Sequence, residues 1–342
     1  MGVVRRRRPS AGLIFWRKLT KPRKAIWDVG SVRTRVMVKD RLVFDQPSAL
    51  AVRQDTGEVT VVGNAAYAQV GVGNSIVRVE FPVVRGTIAD AELAAYWLHH
   101  IRRQLWPNRR WLPFSFSPGG SFISPPGIGA ADRAEWISVF GSAGLHFVSP
   151  SVGLVGLPLL ANLPDSELFW VIVMGGDHSV VAVIQDKKII KSRQIAWGGV
   201  QLSESLQFWL ASEKGITVSW KTTEDLKLHH ASLIDNSIRK ISVRGKNPAT
   251  QLGMSCQVTL AELQAATQSA GQGLILQLKQ FLASLPSGQA TDCIENGLWL
   301  VGGTARLSGV DSWLAAQLGC SVSVVPEPET ALLRAESLHA TT

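Results

Sequence analysis

Two stretches of this chain, far apart in sequence, read as pairs of buried strands joined by a tight turn, and they constrain the fold more than any other feature. Residues 25–38 (AIWDVGSVRTRVMV) alternate toward one strand, break at Asp28-Val29-Gly30-Ser31, and resume as a second. Phe169–Met174 is intensely apolar yet far too short to span a bilayer, so it predicts a buried strand, with residues 180–185 as its hairpin partner. A third short strand fits 40–44. Helices fit 89–105, 130–143, 201–213, 222–233 and 259–284, loops fit 106–120 and Pro286–Thr291, and a last strand–turn–helix fits 297–318. Short strands opening each half, followed by helices, predict two related α/β lobes.

At 342 residues, with 46% hydrophobic and 18% charged side chains, the chain can bury a large core in about two domains. Its formal charge of +9 is concentrated at one end: residues 1–24 hold nine basic groups and no acid, and the remainder is neutral. That excludes a globule gripping nucleic acid over its whole surface. Cys256, Cys293 and Cys320 match no zinc spacing and suggest reduced thiols in a cytoplasmic protein. The pairs His99–His100 and His229–His230 stand without a Cys or carboxylate cluster in sequence, so no metal site is expected there.

Residues 10–21 (SAGLIFWRKLTK) lie between Pro9 and Pro22 and fit a short helix with Ser10 as its cap. Leu13, Phe15, Trp16 and Leu19 share one half of that helix, and Arg17, Lys18 and Lys21 the other, with Ile14 as the misfit. A basic amphipathic helix carrying Trp and Phe suits an anionic membrane surface, where each basic group contributes on the order of 1 kcal/mol. A solvated tail and a nucleic-acid arm are the competing readings.

Two glycine turns raise the question of a nucleotide. Asp28-Val29-Gly30-Ser31 joins two strand-like runs, and backbone N–H groups of such a turn can cradle phosphate oxygens. Gly302-Gly303-Thr304 follows the apolar run Leu298–Val301 and precedes a helix, which favours an anion or close packing of a flat ring. Singly, turn glycines are structural more often than functional.

Together with their surroundings these segments resemble the actin-like ATPase superfamily, and within it the MreB family of bacterial actins. Ile26 to Thr34 is similar to the family's first phosphate loop, and Gln46-Pro47-Ser48 to its next strand. Arg85-Gly86-Thr87-Ile88-Ala89-Asp90 resembles the approach to a lobe-crossing helix, and Pro125-Pro126-Gly127-Ile128 the strand end beyond it. Val243-Arg244-Gly245-Lys246-Asn247 resembles a second-lobe segment, and Gly297 to Gly309 the adenosine-side loop. The likeness runs in order over residues 25 to 338. It implies an α/β, actin-like fold of two lobes, each built on a mixed five-stranded sheet with helices, with a nucleotide cleft between them. It divides the chain into the head (1–24), a first lobe (25–148) and a second lobe (149–328). The first lobe has a small subdomain at about 49–82, with the C-terminal helix of 329–342 packing back on that lobe. The second has a small subdomain at about 200–285.

By resemblance, ATP or ADP with Mg2+ would be held by Asp28, Gly30, Ser31 and Thr34, by Gly175, Gly176 and Ser179, by Glu224 and Lys227, and by Gly302, Gly303 and Thr304. A Glu/Lys pair at that spacing also reads as a solvated helix contact. The second phosphate loop, roughly D-I-G-G-G-T-T in the family, is Val173-Met174-Gly175-Gly176-Asp177-His178-Ser179 here. Val173 removes a metal-orienting acid, and Asp177 puts a carboxylate where a glycine stands. Two unit charges about 4 Å apart repel by roughly 4 kcal/mol at an effective dielectric near 20. No Asp or Glu occurs between Glu135 and Asp165, where the family's water-positioning acid falls. Arg33 replaces an Asn, and Val200 an Asp. Phosphoryl transfer depends on metal placement and an oriented nucleophile, so hydrolysis is expected to be weak or absent.

The family's membrane-dipping loop corresponds to residues 105–116, where Trp106, Trp111, Leu112, Phe114 and Phe116 flank arginines in an interfacial pattern; a loop folded over its own core is the alternative. The resemblance implies a filament-forming or filament-associated scaffold of cell-shape maintenance, peripheral on the inner face of the cell membrane. Its partners would be an anionic lipid surface, another such subunit and membrane-bound shape proteins, with no nucleic acid. Two alternatives are an active ATP-dependent filament and a monomeric actin-fold adaptor docking division or pilus machinery to the membrane.

Overall fold

The computed structural model describes residues 24–71, 76–107, 119–146, 148–164 and 167–339. Among them, the strands form two five-stranded sheets of matching design. The first has the order β10 (Val148–Ser151), β9 (Gly120–Ile123), β1 (Ala25–Val29), β2 (Arg33–Val38), β3 (Arg41–Pro47). The second has β17 (Val322–Val324), β16 (Leu298–Val301), β11 (Phe169–Met174), β12 (Ser179–Gln185), β13 (Lys188–Ile195). In both, the first strand pairs antiparallel with the next in sequence and parallel with a strand reached only after a long excursion. The two lobes are thus topological repeats, as the paired strand–turn–strand runs predict.

The excursion of the first lobe holds a three-stranded sheet of β4 (Leu50–Arg53), β5 (Val59–Val62) and β6 (Val77–Glu80), and a hairpin of β7 (Val83–Val84) and β8 (Thr87–Ile88). Helix α1 (Ala91–Leu105) follows, capped by the Asp90 carboxylate accepting from Leu93 N–H, and α2 (Ala130–Ser142) joins β9 to β10. The excursion of the second lobe holds α3 (Gly199–Lys214), α4 (Trp220–His230), the hairpin of β14 (Lys240–Lys246) and β15 (Gly253–Thr259), and α5 (Leu260–Ala283). Then come α6 (Ser287–Asn296), and after β16, α7 (Val310–Leu318) and the last helix α8 (Ala331–His339).

The second sheet is buried on both faces, which is why Phe169–Met174 is continuously apolar instead of alternating. Trp170, Ile172 and Met174 pack with Leu274, Leu278 and Phe281 of α5, while Phe169 and Val171 pack with Leu154, Leu157 and Ala331 and Ala335 of α8. In the first lobe Trp27 is the centre, with its ring edge-on to Phe140 at 5.7 Å. Helix α8 also reaches the first lobe, since Ser151 hydrogen-bonds Glu336 and Ser337 hydrogen-bonds Asp40.

Two sequence expectations fail locally. Residues 286–291 are not a loop: α6 starts at Ser287, because Ala290, Cys293 and Ile294 are drawn onto the second core and override the low helix propensity of Pro-Ser-Gly. The helix expected over 222–233 stops at His230, where Ala231 turns extended and Leu233 N–H donates to Ser308 O at 2.8 Å.

Candidate nucleotide cleft

A cavity of about 1110 Å³ lies between the lobes, and three turns line it. They follow the carboxyl ends of β1, β11 and β16, where crevices of open α/β sheets collect ligands. Because β11 and β16 are parallel neighbours, the second and third turns are adjacent by construction.

The first turn closes with Gly30 N–H donating to Arg33 O at 3.1 Å. Ser48 braces it from behind, its Oγ donating to Gly30 O at 2.7 Å and its N–H to Val32 O at 3.0 Å. Ser31 remains on the cavity wall with a buried Oγ that no protein group satisfies. Asp28 also lines the cavity; burial pushes its carboxyl up, against the opposing pull of Arg35 and with a push from Asp45. Arg33 pairs with the Asp45 side chain and donates to Asp45 O at 3.2 Å. Thr34 corrects the sequence reading. It is fully buried, shares a hydrogen bond of 2.8 Å with Ser48 Oγ and accepts from Trp97 Nε1 at 2.9 Å, so it is a structural residue behind the turn.

In the second turn Gly175 N–H donates to His178 O at 3.1 Å. The carbonyls of Gly175 and Gly176 accept from Gly199 N–H (3.2 Å) and Val200 N–H (2.7 Å), so the first N–H groups of α3 are spent on the turn. Val173 and Val200 line the cavity where the resemblance has acids. Asp177 accepts from Arg85 N–H at 2.9 Å and from Gln201 Nε2 at 3.3 Å. Burial lowers the pKa of His178, opposed by Asp177 and assisted by Arg85. Ser179 is a second correction: it is fully buried and donates to Trp197 O at 2.7 Å, turned away from the cleft as the first residue of β12.

The third turn brings the chain back against the second. Gly302 has φ +95°, and a Cβ there would collide with the Met174 backbone. Gly303 lines the cavity, and Thr304 ties the two turns by donating from Oγ1 to Gly175 O at 2.7 Å. On α4, Glu224 and Lys227 form an i,i+3 ion pair of 2.6 Å that also faces the cavity. Glu224 accepts from Ser203 as well, and Lys227 Nζ donates to Gly199 O at 2.9 Å. Sequence reasoning missed Tyr67, Trp220 and His230, all on the wall. Trp220 Nε1 donates to Tyr67 OH at 3.2 Å, and burial with help from Glu224 raises the Tyr67 pKa. His230 presents a buried Nδ1 with no protein partner.

Glycine turns, buried polar atoms without a hydrogen-bond partner on the lining residues (among them Ser31 Oγ, Arg35 Nε and His230 Nδ1) and the Lys227 ammonium suit a polyanion attached to a polar ring. The donor set does not suit a cation held by protein alone. Asp177 is already engaged, and among the described residues no three His, Cys, Asp or Glu side chains gather to bind a metal.

Of the expected membrane residues, Leu13, Phe15, Trp16, Arg17, Lys18, Leu19, Trp111, Leu112, Phe114 and Phe116 lie outside the described residues. Trp106 is half-buried, its ring centroid 6.0 Å from that of Trp27, so it seals the first core instead of standing free. Among the described residues no helix is long and apolar enough to cross a membrane.

Twin sheets of one topology, facing each other across a cleft lined by three glycine turns, define an actin-like protein. The fold matches the solved structure of MreB5 of Spiroplasma citri bound to AMPPNP, with a TM-score of 0.85 at 21% identity over 94% of this chain and 96% of that one. It matches the MamK double helical filament subunit with a TM-score of 0.74 at 15% identity, over 93% and 99%. The family model described as MreB/Mbl protein matches residues 23–339, and the chain belongs to that family. It is 28% identical to the cell shape-determining protein Mbl of Bacillus subtilis (strain 168), over 88% of this chain and 90% of that protein. It is equally 28% identical to the cell shape-determining protein MreB of Escherichia coli (strain K12), over 90% of each.

Proposed function

We propose that this chain is a cell-shape scaffold that binds adenine nucleotide, assembles into filaments with its own kind or a related subunit, and hydrolyses ATP weakly or not at all. It works in the cytoplasm, held peripherally on the inner membrane face by the basic head and the aromatic-rich sequence of residues 105–116. The observation that carries the reading is a contrast within one cavity. Glycine turns from both lobes line it, at Gly30, Gly175–Gly176 and Gly302–Gly303, while Val173 lines it near the end of β11 where the resemblance has an acid. Nucleotide binding draws support from the relatives solved with AMPPNP and ADP, and self-association from the relative solved as a double helical filament. A magnesium ion would ride on the nucleotide phosphates with Asp28 as the acid of the first turn.

Calorimetric titration of the full chain with ADP and with AMPPNP, each with magnesium, tests the binding. Saturable binding weakened by Ser31→Ala is expected; no heat with either ligand would remove nucleotide from the reading. Electron microscopy on anionic vesicles tests assembly, with filaments expected and persistent monomers pointing to the adaptor alternative.

A further inference from the structure

The tip of the β7–β8 hairpin belongs to the first lobe yet is gripped by the second. Arg85 and Gly86 form the tip, with φ +50° and +79°. Both central residues are therefore left-handed, the geometry of a tight I′ hairpin turn. On its own lobe the tip is anchored by Trp136 Nε1, which donates to Gly86 O at 3.2 Å. From the other lobe, the Asp177 carboxylate accepts from Arg85 N–H at 2.9 Å, and Gln194 Nε2 donates to Arg85 O at 2.8 Å. One peptide unit on each side of Arg85 is thus held by a side chain across the cleft. Gln201 steadies the grip, donating to the second Asp177 oxygen at 3.3 Å.

We infer that Asp177 and Gln194 form a latch on the Arg85 backbone that holds the two lobes together by protein contacts alone. An ionised acceptor makes the stronger class of hydrogen bond, and two contacts from separate elements, the second turn and β13, fix the tip in position and direction. The Arg85 side chain takes no part, so the latch needs a left-handed tip and not an arginine. The carboxylate that the sequence presents as a repulsive charge beside the glycines is instead committed to the opposite lobe. The same closed state is supported further up the cleft by Trp220 donating to Tyr67 across the lobes. The latch does not depend on the nucleotide reading; a chain that bound no nucleotide would still carry it.

Hydrogen exchange of the peptide containing Arg85 and small-angle scattering test it, both on the full chain stripped of nucleotide. The wild type is expected to show slow exchange at the Arg85 amide and a radius of gyration that ADP leaves unchanged. Asp177→Ala should speed that exchange by about tenfold or more, the loss typical of a bond to a charged acceptor, and expand the scattering profile. Gln194→Ala should move both readouts the same way by less, and it serves if Asp177→Ala fails to fold. Arg85→Asn, which keeps a residue tolerant of positive φ, should change neither. Unchanged exchange and scattering in both Asp177→Ala and Gln194→Ala would overturn the latch. So would a wild type that is expanded until nucleotide is added.

Discussion

Val32 of the first turn and Gly176 of the second meet across the cleft so closely that a Cβ added to Gly176 would lie 2.5 Å from Val32 Cγ2. The glycine therefore serves the approach of the two lobes as well as any ligand. Adding a methyl to a filled contact costs typically about 1–3 kcal/mol. Gly176→Ala should weaken ADP binding by roughly tenfold or more, since the turns must part to admit the methyl. The double variant Gly176→Ala with Val32→Ala should recover most of that loss in calorimetry.

Thr34 sits behind the first turn and joins Ser48 to Trp97. Thr34→Val keeps the shape but orphans the buried Trp97 donor, a cost of about 1–3 kcal/mol. Denaturant unfolding should show that loss, while nucleotide affinity stays within about twofold, since a bond lost behind the turn leaves its cavity-facing groups in place.

Asp28 carries a pH signature. Burial, opposed by Arg35 and seconded by Asp45, holds its folded carboxyl above the ordinary 3.8. Between those two values the folded state binds more protons than the unfolded one, so this group's contribution to stability falls as pH rises through that window. Asp28→Asn should therefore raise the melting temperature at neutral pH, with the gain shrinking as pH falls toward 3.8. The same variant should bind magnesium-ADP more weakly, by roughly tenfold for a lost charged contact.

The sequence made the twin-sheet architecture legible because each lobe begins with a strand–turn–strand unit whose burial pattern is strong and local. The glycine turns were legible as turns, and the close approach of backbones accounts for the glycine at Gly302 beside Met174. A motif places Thr34 and Ser179 near a loop, but the strand each belongs to decides what its side chain meets. Thr34 falls on the buried face of β2, and Ser179 opens β12, a strand covered on both faces. Asp177 and Arg85 lie 92 residues apart, and nothing in either neighbourhood signals that a carboxylate will reach a hairpin tip.

For the membrane, vesicle co-sedimentation is the check. Removing residues 1–24 together with serine at Trp111, Leu112, Phe114 and Phe116 should abolish binding to anionic vesicles. Wild-type binding should weaken with salt, as expected of basic groups on an anionic surface. Trp106→Ser should instead lower stability, because that ring packs on Trp27.

The most direct test of a cleft that binds without turning over is a single-turnover measurement. The full chain, in excess over labelled ATP with magnesium on anionic vesicles, is captured on a filter and its bound nucleotide is identified over time. Nucleotide retained on the protein and still ATP after many minutes is the expected result. Prompt conversion of the bound label to ADP, with magnesium-dependent phosphate release, would contradict it.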